Sequence, residues 1–125
     1  MFLIKFNFIY NFISVENFNI EGKLSPKILI VKPESRLSWQ YHCRRKEIWR
    51  VYKNSVGIIR SMDNNQNEME ILKEGDIIKF QTEERHRLVG LSGFGVVAEI
   101  WIHTDLNNPS DEQDIVRLHD DYSRN

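Results

Sequence analysis

Arg36-Leu37-Ser38-Trp39-Gln40-Tyr41-His42-Cys43-Arg44-Arg45-Lys46-Glu47-Ile48-Trp49 is the stretch on which the reading of this chain turns. Gln40 and His42 lie two apart in a β-rich run, and a strand's period of two places both on one face. Glu47 follows in the next such run, and His86 stands far along the chain in a segment that starts at Gly75. Imidazole nitrogens, a carboxylate and an amide oxygen gathered on the inner wall of a barrel are competent ligands for a divalent cation. Taken singly, a His or Glu more often occupies a surface or core position than a metal site, so the joint pattern is what carries weight.

Outward from this stretch, short β-rich runs alternate with turn signals at residues 27–32, 37–42, 47–53, 56–60, 69–72, 76–80, 86–89 and 96–103. Pro33-Glu34-Ser35, Asp63-Asn64-Asn65, Glu74-Gly75-Asp76 and the glycine-rich segment 90–95 punctuate them with permissive glycines or with Asn and Asp side chains that bond nearby backbone. Many short strands separated in this way predict an all-β sandwich or closed barrel, since closure removes sheet edges that would otherwise aggregate. No repeat, linker or long helix interrupts the pattern.

A length of 125 residues fits one domain, because domains cluster at roughly 100 to 150 residues. With 41% hydrophobic and 28% charged residues the composition is globular and not that of a disordered chain. A formal net charge of -1 argues against a general nucleic-acid partner, which requires a concentrated excess of Lys and Arg. Cys43 is the single cysteine and closes no intrachain disulfide, so nothing demands an oxidising compartment and a cytoplasmic location is expected. The apolar opening stretch is interrupted by Lys5, Asn7 and Asn11 and is shorter than the roughly 20 residues that span a bilayer, so no membrane anchor is expected. Phe2, Ile4, Phe6, Phe8, Tyr10 and Phe12 alternate instead, which predicts a strand within an extension over residues 1–26. Such a strand needs cover, from the barrel itself or from the partner in a homodimer. Residues 27–106 then form the barrel. Residues 107–125 are polar and acidic and read as a surface tail, in which Pro109-Ser110-Asp111-Glu112 is able to start a short helical turn.

The stretch 36–49 resembles a motif of the cupin superfamily, and within it the metal-binding domain of type II phosphomannose isomerases, where the pattern is Arg-Leu-Ser-x-Gln-x-His-x-x-Arg-x-Glu-x-Trp. A second cupin motif lines up with Gly75, Gln81, Glu83, His86 and Gly90; it keeps the first glycine and the histidine and lacks the proline, second glycine and asparagine. A third likeness is Asp114-Ile115-Val116-Arg117 followed by Asp121-Tyr122-Ser123-Arg124, similar to the family's Asp-Asp-Ile-Val-Arg and Asp-x-Tyr-Gly-Arg ending. Asn54 stands where the first motif closes on glycine, Cys43 at a position often held by histidine, and the family's Pro-Trp-Gly is absent. Ordered agreement of three separated motifs is far more specific than any one of them.

The resemblance implies a cupin fold, a double-stranded β-helix or jelly-roll barrel, with a divalent metal ion, zinc or another first-row ion, held by Gln40, His42, Glu47 and His86. It implies interconversion of an aldose phosphate and a ketose phosphate, as with mannose 6-phosphate and fructose 6-phosphate, and so an isomerase of carbohydrate metabolism. Nucleotidyl transfer, which the family often carries on a separate domain, is not expected. The substrate's phosphate needs paired cationic donors, for which Arg45, Arg87 and Arg117 are the candidates, a solvated strand face or surface ion pair being the alternative for the first two. A non-catalytic cupin that binds a sugar or nucleotide sugar is the alternative function, because folds outlive activities. Trp39, Trp49 and Trp101 read as barrel packing, His103 as a hydrogen-bonded wall residue and Cys43 as a packed small side chain.

Overall fold

The structure, a computed structural model, describes residues 25–122. The alternating segment 2–12 lies outside the described residues. Among those residues there is no helix, hence none long and apolar enough to cross a membrane. Nine strands follow in order: β1 (Lys27–Val31), β2 (Trp39–Tyr41), β3 (Arg45–Lys53), β4 (Val56–Ser61), β5 (Glu70–Leu72), β6 (Ile77–Phe80), β7 (Arg85–Gly90), β8 (Gly95–His103) and β9 (Val116–His119). The first eight coincide with the runs read from sequence to within a residue or two.

The strands form two antiparallel sheets, ordered β1-β8-β3-β6 and β5-β4-β7-β2-β9. Alternation along each strand decides what lies between them. Trp49, Val51, Ile78, Phe80 and Val97 of the first sheet pack against Val56, Ile58 and Leu88 of the second in one buried cluster. Each large side chain removed from water there stabilises the barrel by about 1.5–3 kcal/mol. Ile48, Ala98 and Ile100, which alternate to the other face of the first sheet, form a separate cluster.

Two backbone positions explain local sequence. Asn54 closes the β3–β4 turn at a φ of 61°, in the left-handed region that asparagine enters more readily than most residues, so the turn survives without the expected glycine. Its side-chain amide donates to the Phe94 carbonyl at 2.6 Å. At Gly90 a Cβ would stand 1.9 Å from the Lys32 carbonyl oxygen, so only glycine lets β7 end against that loop.

The C-terminal segment differs from its reading as a surface tail. Val116–His119 are exposed, as a tail would be, yet they form β9 on the edge of the second sheet, and the barrel wall therefore runs past residue 106. Arg87 holds it by donating to Nδ1 and the carbonyl of His119, and Arg36 pairs with Asp121 at 2.6 Å. Residues 109–112 form no helix; Ser110 is buried, and a turn closes at Asp114 N to Asp111 O.

Candidate metal centre

The inward faces of β3 and β8 change from apolar to polar along the barrel. Val51 sits opposite Val97 in the core; then Trp49 faces Glu99, Glu47 faces Trp101 and Arg45 faces His103. All four charged or imidazole side chains in this half, Arg45, Glu47, Glu99 and His103, are buried. On the second sheet Gln40 pairs with His86 on one side and Arg117 on the other. Strand register thus brings together residues that are distant in sequence.

His42, Glu47 and His86 offer three buried ligand atoms, all within 4.8 Å of one another. His42 Nε2 lies 3.3 Å from Glu47 Oε2, and His86 Nε2 lies 3.4 Å from Glu47 Oε1. Each imidazole has its other nitrogen on a backbone carbonyl: His42 Nδ1 on Asp114 O at 2.7 Å and His86 Nδ1 on Glu84 O at 3.0 Å. A carbonyl only accepts, so both Nδ1 atoms carry a hydrogen, and both Nε2 atoms are turned toward the carboxylate. Phe80 stacks on His86 with ring centroids 4.6 Å apart and fixes its plane.

An imidazole nitrogen 3.3–3.4 Å from a buried carboxylate calls for a proton or a metal cation between them. His86 Nε2 is buried with no hydrogen-bond partner among the described residues, a costly state for a polar atom. Ligand atoms bound to zinc at about 2.0–2.1 Å on a tetrahedron stand roughly 3.3 Å apart. Each imidazole stands at that spacing from one of the two Glu47 oxygens, His42 from Oε2 and His86 from Oε1. Carbonyl support of the distal ring nitrogen is also the usual way a metal-ligating histidine is held.

Burial pushes the His42 imidazole down to about 4, which keeps it neutral and able to ligate. Burial by itself would raise the Glu47 carboxyl; the imidazoles of His86 and His42 and the Arg45 guanidinium overcome this and hold it well below the usual carboxylate range. Arg45 Nε donates to Glu47 Oε2 at 2.7 Å, and Trp49 Nε1 donates to Oε1 at 3.0 Å.

The remaining expected site residues divide. Gln40 lines the same cavity as His42 and His86, its amide oxygen accepting from Ser38 Oγ at 2.6 Å. Arg45 and Arg87, read as phosphate anchors, are 5% and 1% exposed, and every guanidinium nitrogen has a protein partner. Arg45 donates to Glu47, Ser110, Asp111 and His42 and lies 3.5 Å over the Trp101 ring. Arg87 donates to Leu37 O, Gln66 Oε1 and His119. Both serve the wall and the site's geometry. Arg117 is exposed, lines the cavity, and its side chain has no hydrogen bond or ion pair among the described residues.

His103 is a wall residue as read, its Nδ1 accepting from Ser110 N at 2.9 Å and its Nε2 meeting Ser25 Oγ at 3.2 Å. Cys43, expected to be packed, is exposed. Two residues with work at the site had no role in the sequence reading. Asp114 caps the β2–β3 loop, accepting from Cys43 N and Arg44 N at 2.9 Å each, and its carbonyl orients His42. Glu99 lines the cavity; its own burial, then the charge of Glu47, pushes its carboxyl up to about 8. The only sequence signal for Glu99 is its place two before Trp101 on an alternating strand.

The family model described as mannose-6-phosphate isomerase C-terminal matches residues 10–120. No curated protein matches the chain in sequence. Among solved structures, the DMSP lyase DddQ from Ruegeria pomeroyi DSS-3 superposes with a TM-score of 0.63 at 13% identity, covering 82% of this chain and 47% of that one. Oxalate decarboxylase from Bacillus subtilis does so at 0.62 and 14% identity, covering 74% of this chain and 23% of the other. The CENP-C cupin domain of Drosophila melanogaster reaches 0.55 at 14% identity, with 61% and 55% covered. The chain therefore spans less than two thirds of each of these structures, and at such identities they show the fold alone: an all-β cupin barrel.

Proposed function

The chain belongs to the mannose-6-phosphate isomerase C-terminal family, and from that premise we propose that it is a metal-dependent aldose–ketose isomerase acting on a sugar phosphate of the mannose 6-phosphate type. The observation that carries the reading is the buried triad of His42, Glu47 and His86, whose ligand atoms all lie within 4.8 Å of one another while His86 Nε2 has no hydrogen-bond partner among the described residues. Gln40 on β2, paired in register with His86 on β7, would be the fourth ligand. A divalent ion bound there supplies Lewis acidity to the sugar's carbonyl and neighbouring hydroxyl. Asp114 O and Glu84 O hold the Nδ1 edges of the two imidazoles, and Arg45 pairs with the Glu47 carboxylate.

The cavity measures about 130 Å³, room for only about four waters at roughly 30 Å³ each. It accepts the reacting end of a sugar, and the phosphate projects from the mouth, where Arg117 on the edge strand offers paired donors that match its oxygens. Metal analysis of the purified protein, coupled to an isomerase assay on a panel of aldose phosphates, tests the reading. Stoichiometric zinc or another first-row ion with turnover on at least one aldose phosphate is expected. A protein that holds the metal and isomerises none of them even with excess cation is a binding module instead.

A further inference from the structure

Isomerisation requires a group that moves a proton between adjacent carbons, and the metal triad leaves that part unfilled. Both imidazoles have Nδ1 committed to a carbonyl and Nε2 directed at Glu47. Both Glu47 oxygens are engaged, by Arg45 and Trp49. Glu112 at the cavity mouth is held by Lys27 Nζ at 2.8–2.9 Å through both of its oxygens. His103 is not among the cavity-lining residues.

Glu99 is different. It is 4% exposed, sits on the inward face of β8 and lines the cavity with Gln40, His42 and His86. Trp101 Nε1 donates to Oε1, and no donor among the described residues meets Oε2. Resting on the isomerase reading, we propose that Glu99 is the catalytic acid–base that carries the proton between the two reacting carbons of the sugar. Its Oε2 takes the proton from C2 of the aldose, the C2–H electron pair forms the C1–C2 double bond, and the carbonyl π pair moves onto O1. The protonated carboxyl then returns that proton to C1 while the O2 hydroxyl proton passes to O1 and O2 becomes the carbonyl. The product is the ketose isomer, with nothing oxidised or reduced overall. A carboxyl buried as deeply as Glu99 exchanges its proton closer to neutral pH than an exposed one, which suits it to both halves of the transfer.

The test compares zinc-loaded wild type with Glu99→Gln and Glu99→Asp. Metal content is measured by mass spectrometry, affinity for sorbitol 6-phosphate, which has no carbonyl to isomerise, by calorimetry, and mannose 6-phosphate conversion and deuterium uptake at the reacting carbons by NMR in D2O. Glu99→Gln is expected to keep metal content and sorbitol 6-phosphate affinity while conversion and exchange fall by about 10²- to 10⁴-fold. Glu99→Asp, which keeps the carboxyl but withdraws it by one methylene, should retain part of the rate. Conversion by a metal-loaded Glu99→Gln within about threefold of wild type, well short of what losing an acid–base group costs, overturns the inference alone. Should Glu99→Gln fail to fold, the aspartate variant decides, and wild-type turnover in it is equally fatal. Wild-type protein that is metal-loaded and inactive overturns the isomerase reading and this inference together.

Discussion

Replacing Arg45 by methionine is the sharpest probe of how the site is held before any ion enters it. The guanidinium supplies Glu47 with its charged partner at 2.7 Å, in a pair whose side chains are 6% and 2% exposed. Methionine retains much of the stem that lies against Trp101 and removes the charge. The carboxylate is then left buried with Trp49 Nε1 as its remaining donor at 3.0 Å. Breaking a buried pair from one side costs about 3–5 kcal/mol, mostly the penalty of the orphaned charge. Loss of the bonds to Ser110 and Asp111 adds to this, though contributions from one network are not additive. An expected cost of about 4 kcal/mol corresponds to a urea midpoint lower by roughly 2 M at a slope of about 2 kcal/mol/M.

The assay is urea unfolding at pH 7, first with a chelator and then with zinc. An ion at 100 times its dissociation constant adds about 2.7 kcal/mol, and in the variant it also supplies the missing counter-charge. Zinc should therefore raise the midpoint of Arg45→Met by more than it raises that of wild type. A chelated variant whose midpoint stays within about 0.5 M of wild type, or about 1 kcal/mol, would falsify the claim that the Arg45 ion pair stabilises the buried Glu47 carboxylate.

Replacing His86 by alanine should abolish metal binding and turnover together, whereas Arg117→Ala should leave metal content intact and raise KM by roughly 10- to 150-fold, the loss of a charged hydrogen bond of about 1.5–3 kcal/mol; metal analysis beside steady-state kinetics separates the two. The Glu99 carboxyl, raised by burial and by the Glu47 charge to about 8 from 4.5, also faces Arg45 and Lys27. Its folded value lies above its unfolded one, so it contributes stability fully below pH 4.5 and loses it as pH rises through 8. Between pH 6 and 9, in chelator, Glu99→Gln should gain roughly 3 kcal/mol on wild type in urea unfolding, and parallel curves would contradict the assignment. The alternating apolar row at residues 2–12 predicts a homodimer, and light scattering that finds the full chain monomeric at micromolar concentration rules that out.

Much of the barrel was legible because its strands obey a period of two between turn residues, and the candidate ligands were legible because Gln40, His42 and Glu47 sit within one such pattern. What escaped reading depends on register and not on local pattern. Glu99 looks like any charged residue in a strand until pairing with β3 sets it opposite Trp49 and beside Glu47. β9 escaped because its side chains are exposed on both faces, which removes the alternation that betrays a half-buried strand. Asp114 was quoted as part of a motif, but its role is to cap a loop seventy residues away in the chain, a contact no spacing rule contains.

The arginines show how burial reassigns a residue's work. A guanidinium near a sugar-phosphate site is a natural phosphate anchor, yet a carboxylate buried as deeply as Glu47 cannot stay ionised without a cation of its own. Arg45, two residues away on the same face of β3, is the cation placed to provide it. Arg87 faces the same constraint from another side: with β9 carrying no buried side chain, the edge strand is held by bonds such as those from Arg87 to His119. Structural demand thus commits the two inner arginines, and of the three only Arg117, on the strand that Arg87 secures and opposite Gln40, is exposed while lining the cavity. An Arg87→Met variant should consequently impair phosphate binding through the displacement of β9, and a conserved KM in a folded Arg87→Met protein would show that Arg117 does not depend on that support.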